Sequence, residues 1–230
     1  QAAQAAGSRR FVHISAGAVL TGGRPVINAD ETWEVPGKPI GAYAQTKALG
    51  EKFVLESNSK NFSTVILRPP CIWGTGDQAM LPGMIDAIRS GKWVWIDQGK
   101  YFYSTCHVNN VCEAILLACD KGQGGEVYFI ADGPPATFRD FFSELIRTQR
   151  IEPGNMSIPG WTARLLAPLM EKIWTTFNLK GYPPVSNETV ALFLSPISIV
   201  DNKARSILGY RGLYTRQQGM ADLRKAHRNN

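Results

Sequence analysis

The sequence predicts an α/β fold built on a parallel sheet. Two observations carry that prediction. Short β-branched and aromatic runs alternate with helix-favouring stretches, at the spacing of strand–helix–strand units. The composition is that of an ordinary soluble domain: 230 residues, 44% hydrophobic and 19% charged, enough to bury a sizeable core.

QAAQAAG reads as the end of a helix stopped by Gly7, and FVHIS (11–15) as a buried strand ended by Ala16-Gly17. Residues 21–41, rich in Gly and Pro, read as one long loop. Tyr43 to about Ser57 is a helix, FSTVILRPP (62–70) a strand stopped by two prolines, and 80–90 a further helix. Trp93 to Ile96 alternates weakly, as a short strand would. NNVCEAILLACD (109–120) is an apolar helix with Asn109 or Asn110 as its expected cap. EVYFIAD (126–132) is the third main strand, and an amphipathic helix follows with Thr137 as N-cap. Residues 158–179 are rich in Trp, Leu and Met and interrupted by Pro168. They read first as a buried helical hairpin in a second subdomain, and otherwise as an apolar substrate lid or an interfacial membrane helix. ISIVDNKARSILGY (197–210) reads as a strand, a cap at Asp201 and a short helix closed by Gly209.

Charge and cysteines narrow the function. There are 25 basic and 19 acidic residues, a net +6. That excess is too small to argue for nucleic acid, and the late basic group Arg216, Arg224, Lys225, His227 and Arg228 reads as a solvated tail. Cys71, Cys106, Cys112 and Cys119 form no CxxC pair and no ligand-spaced set with histidine. Neither a zinc site nor a disulfide framework is expected, and a reducing, cytoplasmic setting fits. The chain holds no uninterrupted apolar run of ~18 residues.

The chemistry begins at GAYAQTKALGEK (41–52). Tyr43 and Lys47 stand four apart near the start of a helix, hence on one face. A phenol is a poor base at neutral pH. An ammonium beside it, and a helix N-terminus, favour its phenolate, which suits proton exchange with an alcohol or carbonyl oxygen. By itself the spacing is a weak signal, since many exposed helices carry it. Ser15 and the segment Arg68 to Trp73 lie at the carboxyl ends of two strands, where parallel sheets bind ligands.

Six segments, in order, resemble the extended short-chain dehydrogenase/reductase family, in its 3β-hydroxysteroid dehydrogenase and NAD-dependent epimerase/dehydratase branch. They are RRFVHIS, YAQTKALGEKFV, VILRPPCIWGTGD, CHVNNVCEAILLA, EVYFIADG and VDNKARSILGY, and they span nearly the whole chain. The resemblance implies a Rossmann-like sheet, of which this chain holds the C-terminal part, and a smaller, mostly helical substrate-binding subdomain. The expected division is 1–131 and 132–230. The resemblance implies NAD or NADP as cofactor. It makes Tyr43 the general acid/base and Lys47 the residue that tunes it and holds the nicotinamide ribose. It sets Pro70 and Cys71 along the nicotinamide. It also implies a homodimer paired through the Tyr/Lys helix and its neighbour.

Three departures shape the expected function. Family members usually show two hydroxyl residues in a row where this chain has Ser15-Ala16. Either Ser15 takes the catalytic role or the polarising hydroxyl is missing. Nucleotide-sugar members carry an Arg four residues before the His of the HVDN-like motif, and here that position is Tyr103. A phenol does not replace a bidentate guanidinium on a diphosphate. With Trp73, Trp93, Trp95 and 158–179, this favours a hydrophobic, sterol-like alcohol or ketone, and 158–179 can touch a membrane surface. Finally, no credible GxGxxG fingerprint follows a strand and opens a helix. The resemblance places it about three strands earlier, in ~80–100 residues that this sequence does not contain. The alternatives to a dehydrogenase are a nucleotide-sugar epimerase/dehydratase and a non-catalytic family member that binds a partner.

Overall fold

The computed structural model describes residues 2–179, 183, 185–187, 190, 194 and 196–229. In chain order the elements are α1 (Ala2–Ala5), β1 (Arg10–Ile14), β2 (Val26–Ala29), α2 (Ala42–Glu56), β3 (Ser63–Arg68), β4 (Cys71–Trp73), α3 (Met80–Arg89), β5 (Trp95–Ile96), β6 (Phe102–Tyr103), β7 (Thr105–His107), α4 (Val108–Lys121), β8 (Glu126–Phe129), β9 (Ala136–Thr137), α5 (Phe138–Arg147), β10 (Ser157–Ile158), α6 (Gly160–Thr176), β11 (Ile197–Ile199) and α7 (Arg216–Asn229).

The central sheet is parallel, in the order β1–β3–β8, with Ile14 opposite Leu67 and Leu67 opposite Tyr128. Val65, Ile66 and Leu67 are all fully buried, as a strand covered on both faces requires. Side chains alternate across the sheet. Val12, Ile14, Val65, Leu67 and Tyr128 share one core with Ala114 and Ala118 of α4, whose small side chains permit close approach. His13 and Arg68 have the opposite parity and meet α2: His13 packs at Gly50, and Arg68 bonds Glu51. A second core joins Trp73, Trp95, α3, α5 and the Met220–Leu223 turn of α7, so it draws on both sides of residue 131.

Most of the predicted elements stand, with five corrections. The 21–41 loop contains β2, which pairs in parallel with β11. Only a partner 170 residues away, with Val26 and Ala29 buried between, makes that segment a strand. The cap of α4 is His107, whose Nδ1 accepts the Asn109 N–H at 3.2 Å, not Asn109 or Asn110. Asn110 is withheld from capping because its side chain bonds Asp132 and the backbone of Tyr214. Residues 160–176 form one helix with Pro168 inside it, not a hairpin, and its outer face is exposed rather than buried. The Asp201 carboxylate takes the Arg205 guanidinium instead of a helix N–H, while Gly209, at φ +75°, does close the turn. Arg216 is not in a solvated tail: its guanidinium donates to Thr105 Oγ1 and to the Pro134 carbonyl. Thr137 caps α5 as expected, accepting the Asp140 N–H.

Candidate active site

The Tyr/Lys helix is docked by polar contacts. Within α2 only Ala44 and Glu51 are buried. Lys47 Nζ donates to the Ile14 carbonyl at 3.0 Å, which ties α2 to the carboxyl end of β1. The same ammonium lies 5.9 Å from the centre of the Tyr43 ring. One turn further on, Glu51 and Arg68 form a bidentate pair at 2.8 and 2.6 Å, both side chains almost wholly buried. Tyr43 itself is 49% exposed, so its phenol can meet a substrate.

Ser15 continues the β1 ladder. Its N–H donates to the Leu67 carbonyl and that of Gly17 to the Pro69 carbonyl, both at 2.8 Å. Strand parity therefore puts Ser15 with His13 on the α2 face, and Ala16 on the other. Ser15 is 3% exposed, and its Oγ finds no hydrogen-bond partner among the described residues. An unmet buried hydroxyl costs about 1–3 kcal/mol, so it calls for a functional explanation.

The Pro69-Pro70 turn leads from β3 into β4. Cys71 Sγ there lies 3.2 Å from Met80 Sδ. Burial, reinforced by Asp77 and Asp132, pushes the Cys71 thiol up to about 12. A thiol with that pKa is roughly 0.01% thiolate at pH 8, so Cys71 should resist alkylation. Cys112 and Cys119 are exposed, and Cys106 is buried with its thiol also pushed up. Brief iodoacetamide treatment at pH 8 should modify Cys112 and Cys119 only; peptide mass spectrometry showing early label on Cys71 would contradict this environment.

Tyr103 is partly buried, packing with Cys71 against one core and with Ala48 of α2 against another. Burial, then nearby Cys71 and Tyr43, raises its phenol above the usual tyrosine range. It is thus a neutral O–H beside the candidate site. Trp73 and Trp95, by contrast, are 1% exposed and belong to the core. Their indole N–H groups are spent on Asp132 and the Gly154 carbonyl, so they say nothing about substrate.

Sequence reasoning missed Asp132. Its carboxylate accepts from Trp73 Nε1, Thr105 Oγ1, the His107 N–H and Asn110 Nδ2, at 2.6 to 3.0 Å, and so joins β4, β7 and α4. The usable signals were the paired motifs HVNN and IAD. The GTGD stretch is also structural. Asp77 accepts the N–H groups of Ala79, Met80 and Leu81, which starts α3. At Gly74, φ +134°, a Cβ would stand 2.6 Å from His107 Nε2. A cavity of about 450 Å³ between α3 and α7 is lined by Asp77, Arg89 and His227 but not by Tyr43.

A profile of the 3-beta hydroxysteroid dehydrogenase/isomerase family matches residues 1–159. The chain belongs to this family. It is 44% identical, over 98% of its own length, to a 4-hydroxy-2-methyl-3-oxo-4-farnesyl-3,4-dihydroquinoline-1-oxide ketoreductase of Stigmatella aurantiaca. It is 31% identical, over 93%, to a decarboxylating sterol-4-alpha-carboxylate 3-dehydrogenase of Dictyostelium discoideum. It spans 67% of the first protein and 66% of the second. The structure of a dTDP-glucose 4,6-dehydratase from Streptomyces venezuelae with NAD bound matches 99% of this chain and 62% of its own, at TM-score 0.69. At 19% identity that likeness concerns the fold, and it fits the Rossmann-like α/β arrangement of this family member.

Proposed function

We propose that this chain carries the catalytic part of an NAD(P)-dependent oxidoreductase acting on the CH–OH group of a hydrophobic alcohol, or on the corresponding ketone. The observation that carries the reading is Lys47, bonded to the Ile14 carbonyl at the end of β1 and set beside the half-exposed Tyr43 ring. In ketone reduction Tyr43 hands its phenolic proton to the carbonyl oxygen. In the reverse direction it takes the proton of the alcohol. Ser15, on the α2 face with an unspent hydroxyl, donates a hydrogen bond to the same oxygen. The named relatives support an apolar substrate, one acting on a farnesylated quinoline oxide and the other on a sterol carboxylate. Tyr103 in place of an Arg supports the same reading.

The residues present fit the nicotinamide end of a cofactor. Lys47 spends one N–H on Ile14 and keeps two donors for ribose hydroxyls. Pro70 and Cys71, the latter a neutral thiol, would flank the ring. When bound, the nicotinamide supplies or accepts the hydride. In GTGD, Gly74 is packed against His107 and Asp77 is committed to the first N–H groups of α3, so we read this segment as structural rather than as a pyrophosphate cradle. We assign 1–131 to the cofactor side and 132–230 mostly to the substrate side. Leu49 and Phe53, exposed on α2, suit the pairing of two copies through that helix.

The test is turnover by the purified protein with NADH or NADPH and a set of ketones. Loss of reduced-nicotinamide absorbance with a sterol or prenylated ketone, and none with nucleotide sugars, is the expected result. Preference for a nucleotide sugar would overturn the substrate class. Retained cofactor binding in the intact protein without turnover of any ketone would favour the non-catalytic reading, to which Ala16 lends support.

A further inference from the structure

We infer that the substrate ketone carries a second, uncharged oxygen within two carbons of its reacting carbonyl, and that the Tyr103 hydroxyl donates a hydrogen bond to it. Resting on the oxidoreductase reading of Tyr43, this assignment names the substrate more closely. Tyr103 is firmly held. Its backbone lies in β6 between β11 and β9, opposite Ile197 and Ala136. Its ring meets that of Phe138 edge to face, with centroids 6.0 Å apart. The ring makes these contacts, so a phenylalanine would serve the fold equally well.

The hydroxyl is the part the fold does not use. Other deep-set tyrosines spend theirs. Tyr101 donates to Asp97 at 2.6 Å, Tyr210 donates to the Ala131 carbonyl at 2.9 Å, and Tyr128 accepts the Gln123 N–H at 3.2 Å. The Tyr103 hydroxyl makes no hydrogen bond with the described residues; burial, Cys71 and Tyr43 are what act on it. It is not sealed in either, unlike the unpartnered Ser15 Oγ. An open donor near both Tyr43 and Cys71 is placed to meet an atom of the bound ketone close to its carbonyl.

Charge decides what kind of atom that is. The Tyr103 phenol stays neutral, since burial, then Cys71 and Tyr43, raise it above the usual tyrosine range. It therefore offers one hydrogen bond and no cation. A carboxylate or phosphate taken out of water there would call for a guanidinium or an ammonium. Lys47, the cation beside Tyr43, is turned to the Ile14 carbonyl. A hydroxyl or carbonyl oxygen needs only the donor that Tyr103 supplies.

The test compares NADH or NADPH oxidation by the intact protein on acetophenone, 2-hydroxyacetophenone, 3-hydroxypropiophenone and phenylglyoxylate. At least one of the two hydroxyketones should exceed acetophenone about tenfold or more in kcat/KM, and the carboxylate of phenylglyoxylate should bring no gain. Tyr103→Phe should lower kcat/KM for the favoured hydroxyketone about tenfold more than for acetophenone, through KM rather than kcat. Comparing two substrates on each protein cancels their intrinsic reactivities and any general damage to the fold, so a merely structural role for Tyr103 would not produce that difference. Equal losses on both ketones, no advantage for either hydroxyketone, or a preference for phenylglyoxylate overturns the inference and leaves the oxidoreductase reading standing. If these ketones and the sterol and prenylated ones are all inert, both fall.

Discussion

Tyr43→Phe should lower kcat by about 10²- to 10⁴-fold while leaving the melting temperature within ~2 °C of the unsubstituted protein. The ring stays and only a hydroxyl is lost, at a position half open to solvent, so the fold has little to lose. The proton that must reach the carbonyl oxygen loses its donor. KM should move far less than kcat, because the missing interaction belongs to the transition state. Tyr103→Phe is the informative comparator. Its phenol is held neutral by burial and lies near Tyr43, so it can donate a hydrogen bond but is a poor base. Its loss should alter substrate choice more than kcat. If Tyr43→Phe turns over unchanged and Tyr103→Phe does not, the proton donor has been assigned to the wrong tyrosine.

What was legible in the sequence was local. The runs FVHIS, STVILR and EVYF announce strands because β-branched and aromatic residues crowd between turn formers, and all three are found in one parallel sheet. Tyr43 and Lys47 could be found because helical spacing alone puts them on one face. What escaped was set by distant partners. β2 exists through β11, and Asn110 leaves its capping role for Asp132 and Tyr214, 22 and 104 residues away. Asp132 gave no periodic signal, since its role is defined by four donors from three elements. The 158–179 segment failed differently. Its composition promised burial, but composition does not say which face of a helix meets a partner, and Trp161, Leu165 and Leu169 meet none within the described chain.

The largest stability effect should come from the pair that holds the catalytic helix. Glu51→Ala strands the Arg68 guanidinium in a site where its side chain is 6% exposed, over the Phe129 ring at 5.5 Å and away from water. Removing one partner of such a pair costs about 3–5 kcal/mol, whereas replacing both by apolar residues of similar volume is often near neutral. At about 2–4 °C per kcal/mol for a chain of this size, Glu51→Ala should melt roughly 6–20 °C lower, and Glu51→Leu with Arg68→Met should regain most of that loss. A drop under ~3 °C, or a double variant worse than the single, would show that the pair is not what anchors α2. The two variants also separate anchoring from chemistry. Glu51 lies one turn after Lys47 and two after Tyr43, on the helix that Lys47 ties to β1. If the pair merely holds α2 in place, the double variant recovers kcat together with its melting temperature. If its melting temperature returns and kcat does not, the charge pair itself orients Lys47 and Tyr43, and the stability of the sheet and the geometry of the proton donor rest on the same two side chains.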